Sequence, residues 1–118
     1  MNEKGSINVV NDQFGCPTYA ADLADAIIQI IKSGKSKENP GIYNYANAGT
    51  ITWFEFAVAI KELSNSSCTV NPITTAQYPT PAKRPAYSVL DTAKIQEAFN
   101  IVIPGWKDSL QNCLGLLK

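Results

Sequence analysis

Four prolines, Pro72, Pro79, Pro81 and Pro85, fall within fourteen residues, and no other feature limits the fold of this chain so strongly. Each lacks a backbone N–H and holds φ near about −65°, so an α-helix cannot run through the segment. The residue before each proline is pushed toward extended backbone as well. The segment is therefore predicted to be a stiff, helix-free loop of fixed shape. It carries Arg84 inside "TPAKRPAYSVLD". A guanidinium held in a rigid setting can fork onto the oxygens of a diphosphate.

A second long connection lies near the start. "INVV" (Ile7 to Val10) is a β-branched run ending at the turn formers Asn11 and Asp12, and it reads as a strand. After the heptapeptide "DQFGCPT", Thr18 is positioned to cap a helix whose Leu23, Ile27, Ile30 and Ile31 repeat on one face predicted to be buried, with Gly34 as its stop. Connections in compact domains are usually shorter, and longer ones often bind something. Gln13 offers a hydrogen-bonding amide, Phe14 a stacking face, and the helix start near Thr18 a set of free N–H groups.

The remaining elements follow from local chemistry. "GIYNYA" (Gly41 to Ala46) alternates as a half-buried strand would. Thr52 and Glu55 have the spacing of a capping box ahead of a helix from Trp53 to Leu63, with Phe56, Ala57, Ile60 and Leu63 inward. "CTVNPIT" (Cys68 to Thr74) reads as a strand that Pro72 confines to an edge or bulge. Asp91 caps a short helix through Phe99, and a last helix from Trp106 carries Trp106, Leu110, Cys113, Leu114 and Leu117 on one stripe. The fold class is α/β, a small mixed α/β unit forming a single domain over residues 1–118. So few strands are marginal without further cover, which suggests a piece of a larger body.

Charge and composition remove several functions. Ten acidic residues balance ten basic ones, so nothing draws the chain to nucleic acid or to a membrane surface. No apolar run approaches the roughly 20 residues of a membrane span, and the polar start "MNEKGS" is no signal peptide, so a cytoplasmic protein is expected. The sequon-like "NSS" at Asn65 is then a chance match. Cys16, Cys68 and Cys113 are widely spaced and there is no histidine, so buried free thiols are expected and no metal site. "SGKS" (Ser33 to Ser36) follows a helix and has Gln29 where a phosphate loop needs glycine. Tyr78 and Lys83 are five apart, not the four of a YxxxK pair, and prolines separate them. No glycine-rich dinucleotide turn occurs, so this chain supplies no catalytic residue and its cofactor-binding residues are unknown.

Four stretches in order, "VVNDQFGCPTYAADLADAI", "GIYNYANAGTITWFEFAVAI", "TPAKRPAYSVLDTAKI" and "IPGWKDSLQNCL", resemble the carboxy-terminal part of dTDP-4-dehydrorhamnose reductases. These are extended short-chain dehydrogenase/reductases of nucleotide-sugar metabolism. The D-Q-x-G-x-P-T and K-R-P-x-x-S-x-L-D blocks carry the resemblance.

The resemblance implies an NAD(P)-binding Rossmann-type parent that reduces the 4-keto group of dTDP-4-dehydro-L-rhamnose, with NADPH or NADH as cofactor, to dTDP-L-rhamnose for polysaccharide biosynthesis. It implies that this chain is the carboxy-terminal nucleotide-sugar-binding lobe, without the amino-terminal Rossmann lobe and its Tyr/Lys group, inactive alone and binding no cofactor alone. On this resemblance Gln13, Phe14, Pro17 and Thr18 border the sugar and nicotinamide end of the cleft. Arg84 faces the diphosphate, and Pro85 and Ser88 fix its loop. The dTDP-sugar and the missing lobe are the implied partners, and an exposed lobe interface makes a homodimer an expected association. A regulatory or scaffold member of the same superfamily, and a reductase or epimerase of another nucleotide sugar, are the alternatives.

Overall fold

The computed structural model describes residues 5–117. Its elements run β1 (Ser6–Val10), β2 (Phe14–Gly15), α1 (Ala20–Ser33), β3 (Ile51–Thr52), α2 (Trp53–Ser64), β4 (Thr69–Ile73), a 3₁₀ turn (Thr75–Gln77), α3 (Ala93–Phe99) and α4 (Trp106–Leu117). The chain is a small mixed α/β unit, as the alternation of its sequence predicts. β1 and β4 pair in parallel from Ser6 opposite Thr69 to Val10 opposite Ile73. β2 and β3 pair antiparallel, with Phe14 opposite Thr52. With two strands per sheet, Pro72 sits on an edge and no ladder needs its missing N–H.

The helix ends follow the local signals, with differences. Thr52 Oγ1 accepts from the Glu55 N–H at 3.2 Å, and Asn65 ends α2 in the left-handed conformation at φ 55°. Thr52 spends its own proton on Asn11 Oδ1 at 2.8 Å. Asn65, part of the sequon-like triplet, thus has a structural role as helix stop. Gly34 stops α1 at φ 70°. Asp91 does not hold the cap position of α3, which falls to Thr92; from one residue earlier its carboxylate accepts from the Ala93 N–H at 3.0 Å. Thr18 does not cap α1: Tyr19 holds the cap position, and its N–H is taken by Asn47 Oδ1 at 2.7 Å. The proline-rich segment is not wholly helix-free, because the 3₁₀ turn fits between Pro72 and Pro79.

One core gathers Ala26, Ile95, Phe99 and Ile101, with Ile30, Tyr43 and Tyr45 packed on it. The Tyr43 and Phe99 rings lie 5.3 Å apart, and Lys94 Nζ sits 4.5 Å over the Tyr43 ring. Residues 41–46, predicted as a strand, belong to no strand among the described residues, although Tyr43 and Tyr45 do pack on the core from one side of the alternation.

The face of α1 that its spacing predicts to be buried is only partly covered. Ala26 and Ile30 meet the core, while Leu23, Ile27, Ile28 and Ile31 are exposed, Ile31 by 70 %. Ile42 and Val102 are each 86 % exposed. Helical periodicity says which side is apolar but not whether a neighbour covers it. The radius of gyration, 16.8 Å, exceeds the roughly 13.5 Å of a compact chain of this length. Among the described residues no helix is long and apolar enough to cross a membrane, and no group of His, Cys, Asp and Glu is placed to hold a metal. Of the free cysteines, Cys68 is buried whereas Cys16 and Cys113 are half-buried.

Candidate functional site

β1 delivers the chain to a tight corner at Asn11–Gln13, anchored by the Asn11 N–H on the Ile73 carbonyl at 2.9 Å. β2 then runs beside β3, and its outer edge takes up the proline-stiffened loop. The Phe14 N–H donates to the Ala86 carbonyl at 2.7 Å, and the Ser88 N–H donates to the Phe14 carbonyl at 2.8 Å. Two segments more than seventy residues apart in sequence are thereby stitched backbone to backbone. Neither stretch could hold this geometry alone, since each lacks a repeating ladder of its own.

The stitch opens a hollow of about 220 Å³ lined by Asn8, Val9, Val10, Gln13, Trp53, Tyr78, Thr80 and Arg84. A second chamber of about 280 Å³ adjoins it, lined by Gln13, Phe14, Trp53, Arg84, Pro85 and Ser88. Gln13, Trp53 and Arg84 belong to both chambers. The structure therefore brings together Gln13, Phe14, Arg84, Pro85 and Ser88 from the sequence-derived set. Gln13 is 6 % exposed and donates from Nε2 to Thr75 Oγ1 at 3.2 Å, whereas Arg84 is exposed.

Pro17 and Thr18 lie elsewhere. They line a separate cavity of about 100 Å³ with Tyr19, Asn47, Phe56, Trp106, Ser109, Leu110 and Cys113. Beneath it Asn47, 2 % exposed, donates from Nδ2 to Asp22 Oδ2 at 2.8 Å, to the Pro104 carbonyl at 3.1 Å and to Ser109 Oγ at 3.1 Å. Ser109 Oγ in turn donates to Asp22. This network clamps the start of α1 to α4, and the residues after Gly15 leave the hollow to reach it.

Trp53 and Tyr78 are the residues that sequence reasoning missed. Trp53 opens α2 outside the inward stripe and is 43 % exposed, with its ring edge over Gly15, where an added Cβ would stand 3.8 Å from Cζ2. An aromatic ring off the buried stripe of an amphipathic helix was the available signal. Tyr78, 56 % exposed, lines the hollow without Lys83. Asp12 sets the corner: its carboxylate accepts from the Thr75 hydroxyl at 2.6 Å and from the Thr75 N–H at 2.9 and 3.1 Å. The Thr75 hydroxyl, then its N–H, hold the Asp12 carboxyl below the usual carboxylate range.

Chemically, the hollow offers aromatic faces, a neutral amide and one guanidinium. That set binds a ring or sugar joined to an anionic group. It provides no acid–base pair and no metal ligands among the described residues.

The chain is similar to one stretch of longer known proteins. Residues 1–118 match the family model described as the RmlD substrate binding domain. The chain is 44 % identical over 116 residues to a dTDP-4-dehydrorhamnose reductase of Aggregatibacter actinomycetemcomitans, covering 90 % of this chain and 39 % of that protein. It superposes on the crystal structure of a dTDP-4-dehydrorhamnose reductase from Clostridium acetobutylicum with a TM-score of 0.88 at 35 % identity, covering 98 % of this chain and 40 % of the other. For the Bacillus anthracis reductase, solved in complex with NADP, the TM-score is 0.86 at 33 % identity, over 98 % of this chain and 39 % of that one. The chain thus spans about two fifths of the length of these relatives. Matched along its whole length, it belongs to the RmlD substrate binding domain family.

Proposed function

We propose that this chain is the nucleotide-sugar-binding lobe of a dTDP-4-dehydrorhamnose reductase, the enzyme that reduces the 4-keto group of dTDP-4-dehydro-L-rhamnose to dTDP-L-rhamnose. The observation that carries this reading is the backbone stitch between Phe14 and residues 86–88, which sets the Gln13 corner and Arg84 on one hollow. Arg84 takes the diphosphate, Trp53 and Phe14 offer faces to the sugar or base, and Pro85 and Ser88 hold the loop. The names of the relatives support the substrate class.

Hydride transfer belongs to the rest of the parent protein. The connection from β1 to α1 is not glycine-rich and so does not fit a dinucleotide, and this chain alone turns nothing over. NADPH is the cofactor assigned to the parent, on the strength of the relative solved with NADP. The exposed stripe of α1, with Leu23, Ile27 and Ile31, is the face assigned to that remaining lobe.

Calorimetric titration of the chain with dTDP, dTMP and thymidine tests the reading. Saturable binding that weakens stepwise as phosphates are removed is expected. Equal binding of all three, or none, would refute it.

A further inference from the structure

Gln13 is buried at 6 % exposure on the wall of the hollow, yet only one end of its amide is engaged. We infer that Asp12 and Thr75 lock the Gln13 side chain with its carbonyl oxygen turned into the hollow, so that the ligand group seated against it must donate a hydrogen bond: a sugar hydroxyl or a pyrimidine imide N–H. The identity of the ligand rests on the function proposed above, whereas the orientation of the amide does not.

The number of protons available decides how the amide lies. An ionised carboxylate only accepts, and the hydrogen bonds from Thr75 keep Asp12 ionised. The Thr75 hydroxyl has a single proton and gives it to Asp12 Oδ1 at 2.6 Å. Only lone pairs are left on Thr75 Oγ1, so the Gln13 atom 3.2 Å away has to be the donor, Nε2. Chemistry thus decides which way round the amide lies, a choice that shape alone leaves open. Oε1 has no hydrogen-bond partner among the described residues, and no fully buried side-chain oxygen or nitrogen there is left unpaired. The oxygen therefore keeps accessible surface, and the hollow that Gln13 lines is the opening assigned to it by this inference.

An inward carbonyl beside Arg84 divides the work of recognition. It repels phosphoryl oxygens, which are acceptors, and leaves them to the guanidinium. It welcomes a neighbouring hydroxyl or N–H, and so sets the register of the ligand along the two chambers. Asp12 and Thr75 are positioning residues here, acting through Gln13.

The test pairs an orientation measurement with binding. In the wild-type chain, nuclear Overhauser effects should connect the Gln13 Nε2 protons to Thr75. They should persist in Thr75→Ser and vanish in Thr75→Val. Affinity for dTDP or dTDP-L-rhamnose should fall about tenfold in Thr75→Val and stay within about twofold in Thr75→Ser, the loss expected when one buried hydrogen bond is forfeited. Asp12→Ala, on the exposed side of the clamp, frees the Thr75 proton and should reproduce the loss if the valine variant does not fold. The N3-methylated thymine analogue of dTDP separates the two donors. If it binds wild type as weakly as dTDP binds Thr75→Val, the donor is the imide. If methylation is harmless while dTDP-L-rhamnose still responds to Thr75→Val, the donor is a sugar hydroxyl. Overhauser effects from the Gln13 amide protons to Tyr78 or Trp53 in place of Thr75, or wild-type affinity in both Thr75→Val and Asp12→Ala, would overturn the inference. Wild type that binds no dTDP probe, with the Thr75 contacts present, would instead refute the nucleotide-sugar reading and uphold the orientation.

Discussion

Phe14 donates its N–H to the Ala86 carbonyl at 2.7 Å, and by that bond a corner near the start of the chain meets a loop seventy residues later. The neighbours of the two residues gain their meaning from it. Gln13 on one side and Arg84 on the other come to line the same two chambers.

Arg84→Ala should raise KM for the nucleotide sugar tenfold or more in the full-length parent, with kcat changed less. A charge-assisted hydrogen bond to phosphate contributes ~1.5 to 3 kcal/mol, and Arg84 is the one cation among the described residues that line the two chambers. Arg84→Lys should recover part of the loss, since an ammonium keeps the charge but not the fork. Steady-state kinetics read the difference.

Asn47→Ala should destabilise the chain by about 2–3 kcal/mol without touching the hollow. The change strands the Tyr19 N–H and removes a donor to Asp22, Pro104 and Ser109 in a region where Asn47 is 2 % exposed. Urea unfolding at neutral pH measures it, with dTDP affinity as the control that should not move.

Gly49→Ala should cost about 1–3 kcal/mol. Gly49 has φ +113°, and a Cβ there would collide with Trp106 Cδ1, with the indole held against Phe56 at 6.2 Å between ring centroids. The melting temperature of the variant reports the strain, and a value equal to wild type would mean that the indole moves aside freely.

Acid and alkali should act on different groups. Asp12 has its carboxyl lowered from 3.8 by the Thr75 hydrogen bonds, so its contribution is present above that value and is lost as pH falls through the lower folded value. Tyr45 is raised from 10.0 by burial first and by the Asp22 and Asp25 charges after it, so its contribution is full below 10.0 and is lost as pH rises through the higher folded value. Asp12→Ala should flatten the acid limb of a stability-against-pH curve, and Tyr45→Phe the alkaline limb.

Much of the architecture was legible because local chemistry decided it. The Thr52 hydroxyl, Gly34 and the β-branched run before Asn11 each act within a few residues of their position, and the structure places them accordingly, while Asp91 acts one residue ahead of the cap that Thr92 holds. What local chemistry could not show was coverage. Leu23, Ile27 and Ile31 repeat at helical spacing, yet the described residues leave them open, because a period names a face and not its neighbour. Thr18 was a sound cap by type, but Asn47 reached the Tyr19 N–H from far along the chain. Likewise the heptapeptide divides between two places: its first half turns into the hollow while Pro17 and Thr18 serve the cavity over α4. Trp53 enters the hollow only because β2 and β3 pair, which no periodicity within α2 reveals.

The most direct measurement is a titration of the isotope-labelled chain with dTDP, following backbone amides in residues 12–15 and 82–90 separately. One ligand spanning one hollow predicts shifts in both groups that fit a single shared dissociation constant. Shifts confined to one group, or two unrelated constants, would contradict it.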